Sequence, residues 1–361
     1  MIKNTNFPNN IFLLAILLFS FCNNVFANTL FGGIEIGSKG IKVTVLDVEN
    51  AKKNLFTLKE YWTTNAGIAK GISIDGNLAT DDIETACNII LEDYNKLLNT
   101  YNVEDVNIFI VASSGIAMAK NTNELADKIR ELTKKELDVI SSKLEAKLMF
   151  RGSIAKKFYL NSLLLDIGGG NTKGGYVEVK NEDNNVFFPF NLDYGTITLT
   201  EKINRGLKSQ ENINAFKDRL FEFNTELESE INKMYLERPE CKDKKNIYIT
   251  GGAAWAFFTL TEQTSAGNFS EISFADVQDY DAVLKNNFKK IIDLAGTNDE
   301  AKKVLKTYSQ KYLISANTLL LRSLEALGNI NSKKIFFVKQ AQISWLLSYV
   351  ADSAKGSKVI Y

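Results

Sequence analysis

Between Leu163 and Val179 the chain reads L-L-L-D-I-G-G-G-N-T-K-G-G-Y-V-E-V. The leucine run reads as a buried strand that delivers Asp166 onto a turn of Gly168, Gly169 and Gly170, and Gly174 to Val179 continues as a second strand. That is a hairpin, whereas a Walker loop or a dinucleotide fingerprint runs from its glycines into a helix. Phe31 to Leu46 repeats the pattern: a strand, Glu35, a turn through Gly37 and Ser38, then Ile41, Val43 and Val45 alternating along a second strand. Phe56 to Thr63 predicts a third strand. Asp81 to Tyr101 predicts a helix capped by Thr80 or Asp81, with Ile83, Ala86, Ile90 and Leu97 on one face. Val106 to Ala112 reads as an apolar strand ending in Ser113-Ser114-Gly115, before a helix around Asn123 to Leu132. Farther on, Ser209 to Leu236 is helical with Phe216, Leu220, Phe223 and Leu227 inward, and Ile247 to Thr250 is a strand running through Gly251 and Gly252 into an apolar helix, Trp255 to Leu260. Phe269 to Ala295 and Asp299 to Tyr312 read as helical pieces, Ile314 to Leu327 as a long apolar helix closed by Gly328, and Lys334 to Val338 as a late strand.

Two carboxylate–glycine hairpins far apart in one chain predict a duplicated α/β fold. Each half carries a mixed sheet flanked by helices, and the site lies in the cleft between them. The expected halves are residues 28–155 and 156–361. Bare glycine turns let successive N–H groups converge on an anion. Asn171, Thr172 and Lys173 add donors beside one turn, and Lys39 and Lys42 add charge beside the other. Glu35 and Asp166 are expected to face a shared divalent cation, directly or through water. Gly251 and Gly252 open a helix whose N-terminus can receive a further anionic group.

Composition narrows the chemistry. The chain contains no histidine, which removes Ser-His-Asp and Cys-His catalysis and histidine–metal sites and leaves carboxylates and hard metal ions. Its 43 basic and 43 acidic residues give no general basic field for nucleic acid, so any polyanion must be held locally. Lys3 precedes the apolar run Ile11 to Cys22, and Val25-Phe26-Ala27 offers a cut after Ala27. Residues 1–27 are therefore expected to be a signal peptide and the remainder to be periplasmic or secreted, with no stable membrane span after processing. Of the cysteines beyond the leader, Cys87 and Cys241 can pair in an oxidising compartment, although Cys87 falls in a predicted helix.

The ordered segments resemble the actin and sugar kinase superfamily, and within it the exopolyphosphatase and guanosine pentaphosphate phosphatase (Ppx/GppA) family. The resemblance is carried by Ile34 to Lys42, by Ala112 to Ala117, by Ile140 to Ala146 (I-S-S-K-L-E-A), by Asp166 to Thr172, and by Gly195 to Glu201 (G-T-I-T-L-T-E). It implies two actin-like, RNase H-like domains and a magnesium-assisted phosphohydrolase that removes terminal phosphate from polyphosphate or a guanosine polyphosphate. Glu145 would act as general base on the attacking water, which also fits a chain without histidine. Ser114 would join Gly37, Ser38 and the second glycine turn around the phosphates, and family analogy adds a homodimer. Several positions depart from the pattern. Glu35 stands for Asp, Ala117 for an arginine that grips phosphate, and Leu144 for one of two paired acids, while Val338 to Trp345 lacks the usual Ser-Asp and Gly-Leu-Arg residues. Two other functions fit the same residues: an apyrase-like nucleoside di- or triphosphatase, and a binding protein that keeps the fold without efficient hydrolysis.

Overall fold

The computed structural model describes residues 29–51, 55–181, 184–207, 212–263, 269–339 and 341–356; the expected leader and its cut after Ala27 lie outside them. The first half opens as a meander of β1 (Thr29–Ile36), β2 (Gly40–Asn50) and β3 (Leu55–Asn65), and continues through the short helix α1 (Ile72–Asp75) into α2 (Thr80–Asn99). Then come β4 (Ile108–Ala112), α3 (Ser114–Ala117), α4 (Thr122–Thr133), β5 (Leu137–Val139) and α5 (Ser142–Ser153). The second half repeats the meander as β6 (Ser162–Ile167), β7 (Thr172–Asn181) and β8 (Asn184–Leu192), followed by α6 (Thr196–Asn204), α7 (Ile213–Leu236), β9 (Asn246–Thr250) and α8 (Gly251–Leu260). It ends with β10 (Phe269–Ile272), α9 (Phe274–Asn286), α10 (Phe288–Thr297), α11 (Asp299–Thr307), α12 (Gln310–Ala326), β11 (Lys334–Val338) and α13 (Ala341–Ser353).

The duplication expected from the two hairpins is present as topology. The first sheet runs β3-β2-β1-β4-β5 and the second β10-β11-β9-β6-β7-β8. In each, an antiparallel meander is joined through its first strand to parallel strands, β1 to β4 and β6 to β9. The parallel strands need crossover connections, which the helices supply.

Local departures from the sequence expectations have simple causes. Ala79 is the N-cap of α2, so Thr80 is already helical. Phe269 to Ile272 is a strand, not helix, because its alternating exposed and buried residues fit the edge offered by β11. The predicted helix Asp299 to Tyr312 stops at Thr307, and α12 starts afresh at Gln310 and absorbs the apolar stretch from Ile314. The short β5, the edge strand β8 and α13 were not foreseen.

Each half has its own core, and a third core lies between the sheets. The third is built on Leu148, Met149 and Phe150 of α5 and on Trp345, Leu346 and Val350 of α13, packed against Leu46 and Val111 from one sheet and Leu164 and Tyr248 from the other. Gly152 allows the two helices to approach closely: a Cβ there would lie 2.7 Å from Ser344 O. Cys87 and Cys241 are both free and buried, in the separate cores of the two halves, so the disulfide considered from sequence is not formed. No helix among the described residues is long and apolar enough to cross a membrane.

A candidate active site in the cleft

The two hairpin turns meet face to face. A Cβ on Gly170 would lie 2.9 Å from both Gly115 Cα and Ser38 Oγ, so glycine is needed for the loops of opposite halves to close on each other. The Asn171 amide donates to Ser114 Oγ at 3.0 Å across the junction. Behind the contact lies a cleft of about 520 Å³ lined by Glu35, Gly37, Ser38, Lys39, Lys42, Glu145, Asp166, Gly168, Gly169, Gly170, Asn171, Lys173, Gly251 and Gly252. Of the residues expected at the site, Ser114 and Thr172 stand behind this lining. The Thr172 hydroxyl donates to Tyr194 O at 2.8 Å and the side chain is fully buried, so it supports the turn from outside the cleft.

The G-T-I-T-L-T-E segment is the buttress of the second turn. At the start of α6, Thr196 and Ile197 donate their N–H groups to Gly168 O at 2.9 Å and Gly169 O at 2.8 Å, and Thr198 Oγ1 donates to Gly170 O at 2.8 Å. Those helix-end donors would otherwise lack partners. The turns themselves close through Gly168 N–H to Asn171 O at 3.0 Å and Gly37 N–H to Gly40 O at 2.9 Å, so these two amides are not free for a ligand. A Cβ on Gly195 would come within 2.6 Å of Asn171 N, Gly168 O and Gly169 O, all backbone atoms. Gly195→Ala should therefore destabilise the protein by about 1–3 kcal/mol through overpacking, and thermal melting should show it.

The charged residues are paired in register. Glu35 on β1 faces Lys42 on β2 and Asp166 on β6 faces Lys173 on β7, each pair in contact at 2.8 Å. Lys173 Nζ reaches on to Glu145 Oε1 at 2.9 Å, and Glu145 Oε2 accepts the Ser114 N–H at 2.8 Å. Glu145 occupies the first turn of α5, where the helix dipole favours an anion, and Ser141 caps that helix by accepting from Leu144 N–H. Burial pushes the Glu145 carboxyl up, but the Lys173 ammonium and the Ser114 hydrogen bonds outweigh it, and the group titrates below its ordinary 4.5. Burial works against the Lys173 ammonium as well, yet Asp166 and Glu145 hold its pKa above the ordinary lysine value. Burial raises the Glu35 carboxyl despite Lys42, and its Oε2 is buried without a partner.

These residues do not fit a magnesium ion as they stand. A hard dication takes about six oxygen ligands, whereas both carboxylates expected to bind it, Glu35 and Asp166, already hold an ammonium, leaving Glu35 Oε2 as the orphaned oxygen. Among the described residues no group of three or more His, Cys, Asp or Glu is placed to hold a metal. The two acids expected to share a cation each face a lysine ammonium. The spacing that shows it is an acid and a lysine seven residues apart in both hairpins.

At the cleft mouth Lys39 spans the two halves. Its ammonium donates to Thr307 O at 3.3 Å and lies 4.2 Å from the Tyr312 ring centroid and 5.2 Å from that of Tyr308. Burial, with Lys70 nearby, lowers the Lys39 pKa to about 8. Trp255 and Tyr308 also line this end, their ring centroids 6.3 Å apart, and Gly252 leaves room for the Tyr308 hydroxyl. Tyr308 was missed because it follows a surface helix and only the fold brings it to Gly252.

Comparison with known proteins agrees with this architecture. A model of the Ppx/GppA phosphatase family matches residues 48–306. An exopolyphosphatase-like protein of known structure is similar with a TM-score of 0.68 and 15% identity, over 91% of this chain and 99% of that one. The Cytophaga hutchinsonii exopolyphosphatase gives 0.66 and 16%, over 89% and 98%. An Aquifex aeolicus Ppx/GppA family member gives 0.61 and 17%, over 90% and 98%. In sequence, 180 residues are 29% identical to a Fusobacterium nucleatum bifunctional 3-dehydroquinate synthase/phosphatase, covering 48% of this chain and 26% of that protein. The chain thus spans about a quarter of the length of that curated relative.

Proposed function

Because the chain belongs to the Ppx/GppA phosphatase family and has its two-domain actin-like fold, we propose that it hydrolyses a terminal phosphoanhydride bond, with Glu145 accepting a proton from the attacking water. The observation that supports this most is the meeting of Glu145, from helix α5, and Asp166, from strand β6, on Lys173 between two glycine turns. In-line displacement at phosphorus passes through a loose transition state, so positioning of the water counts for more than the strength of the base. Glu145 suits that role because it is ionised at neutral pH, fixed through both oxygens, and keeps lone pairs to accept from water. Lys39 and Lys42, on the cleft wall, are the cations that meet the phosphates.

The rest of the substrate is an inorganic phosphate chain in the first reading. A nucleoside di- or triphosphate is the second, favoured by Trp255 and Tyr308 beside Gly252. Export after cleavage behind Ala27 belongs to the same proposal, and the N-terminus of the mature protein checks it. The function is tested by phosphate release from long-chain polyphosphate, ATP, GDP and guanosine pentaphosphate, with and without magnesium. Release should fall at high pH as Lys39 loses its proton, with a limb in kcat/KM near the value of about 8 that its surroundings impose. Trp255→Ala should raise KM about tenfold for a nucleotide, by the loss of ring stacking, and leave polyphosphate unaffected. A folded preparation that releases phosphate from none of these compounds would refute the hydrolase.

A further inference from the structure

Lys173 and Lys42 occupy equivalent places in the duplicated hairpins but differ in their surroundings. The Lys173 ammonium faces Asp166 Oδ2 at 2.8 Å, Glu145 Oε1 at 2.9 Å and Asn171 Oδ1 at 3.4 Å, one acceptor for each of its three protons. All of this is enclosed: the Lys173, Glu145 and Asp166 side chains are 4%, 4% and 5% exposed. Lys42 makes its contact with Glu35 and keeps a side chain 24% exposed toward the cleft. Two carboxylates brought together in an enclosed site repel one another unless a cation lies between them.

We propose that the Lys173 ammonium takes the place of a resident divalent cation, neutralising the Asp166–Glu145 pair, so that the cleft admits phosphate groups without a metal ion of its own. With its donors all engaged, Lys173 is a positioning residue for Glu145, while Lys42 is the cation free to reach the ligand. A lysine tethered seven residues from its partner acid has a local concentration far above that of free magnesium in solution, and a metal ion can enter only by expelling it. The proposal takes the identity of the ligand from the phosphohydrolase reading; the charge arrangement is independent of it.

Electron paramagnetic resonance of added manganese, used as a magnesium probe, tests the exchange directly. The purified protein should leave the free-ion signal undiminished, and so should Lys173→Arg, whereas Lys173→Gln should bind one manganese ion between the exposed carboxylates. Calorimetry with pyrophosphate supplies the second measurement. Binding to the unaltered protein should persist in EDTA, and binding to Lys173→Gln should weaken about tenfold in EDTA and return with magnesium. A manganese ion held by the unaltered protein and lost in Asp166→Asn would overturn the proposal, as would pyrophosphate binding that disappears in EDTA. If Lys173→Gln does not fold, the unaltered protein and Lys173→Arg decide the question. Metal-free pyrophosphate binding with no hydrolysis of any substrate would refute the hydrolase and leave this inference standing.

Discussion

Glu145→Gln should lower phosphate release by about 10²–10⁴-fold, the contribution expected of a positioned general base, with the fold retained. Glutamine keeps an oxygen to accept the Ser114 N–H and nearly the same volume, and although its NH2 group cannot accept from Lys173, that lysine keeps its contact with Asp166. It cannot take a proton from water. Thermal melting of both proteins at neutral pH separates loss of chemistry from loss of structure, and a variant as active as the parent would remove Glu145 from the mechanism. The pH profile adds a second check. With the folded-state pKa of Glu145 lowered, its ionised form persists as pH falls to the ordinary 4.5, and the acid limb of kcat/KM lies below that value. The same shift makes a stabilising contribution that is present above 4.5 and lost as pH falls through the folded-state pKa.

Trp345→Ala should cost about 3–5 kcal/mol of stability, the range for emptying a fully buried aromatic site. Trp345 is 1% exposed and lies in the core between the sheets, beside the cleft floor and against the α5 helix that carries Glu145. Phosphate release should fall too, through displacement of α5. Trp345→Phe should restore most of both. Denaturant unfolding and steady-state kinetics on the two variants check the coupling; a stable Trp345→Ala protein with reduced kcat would show that the tryptophan acts on the site alone.

The sequence carried the frame of the fold because its signals are local. Apolar runs ending in an acid and glycines define both hairpins, and their repetition predicted the duplicated sheets and the cleft that the structure contains. The weaker elements were misjudged where a neighbour decides the outcome. Phe269 to Ile272 has an ambiguous pattern and becomes a strand because β11 offers it an edge.

The site divides in the same way. The amino-acid sequence by itself excludes histidine chemistry, since there is no histidine, and it singled out Glu145, Asp166 and the glycine turns as candidates for the site. Thr172 reads from the sequence as one more donor beside Asn171 and Lys173, but strand alternation turns it to the opposite face, toward Tyr194 O. What only the tertiary structure decided is which charges meet. Lys173 lies seven residues from Asp166 and 28 from Glu145, and the second contact exists only because the α5 helix packs against β7. Electrostatic energy depends on distance in space and on exclusion of water, and neither is written in the spacing of residues along the chain.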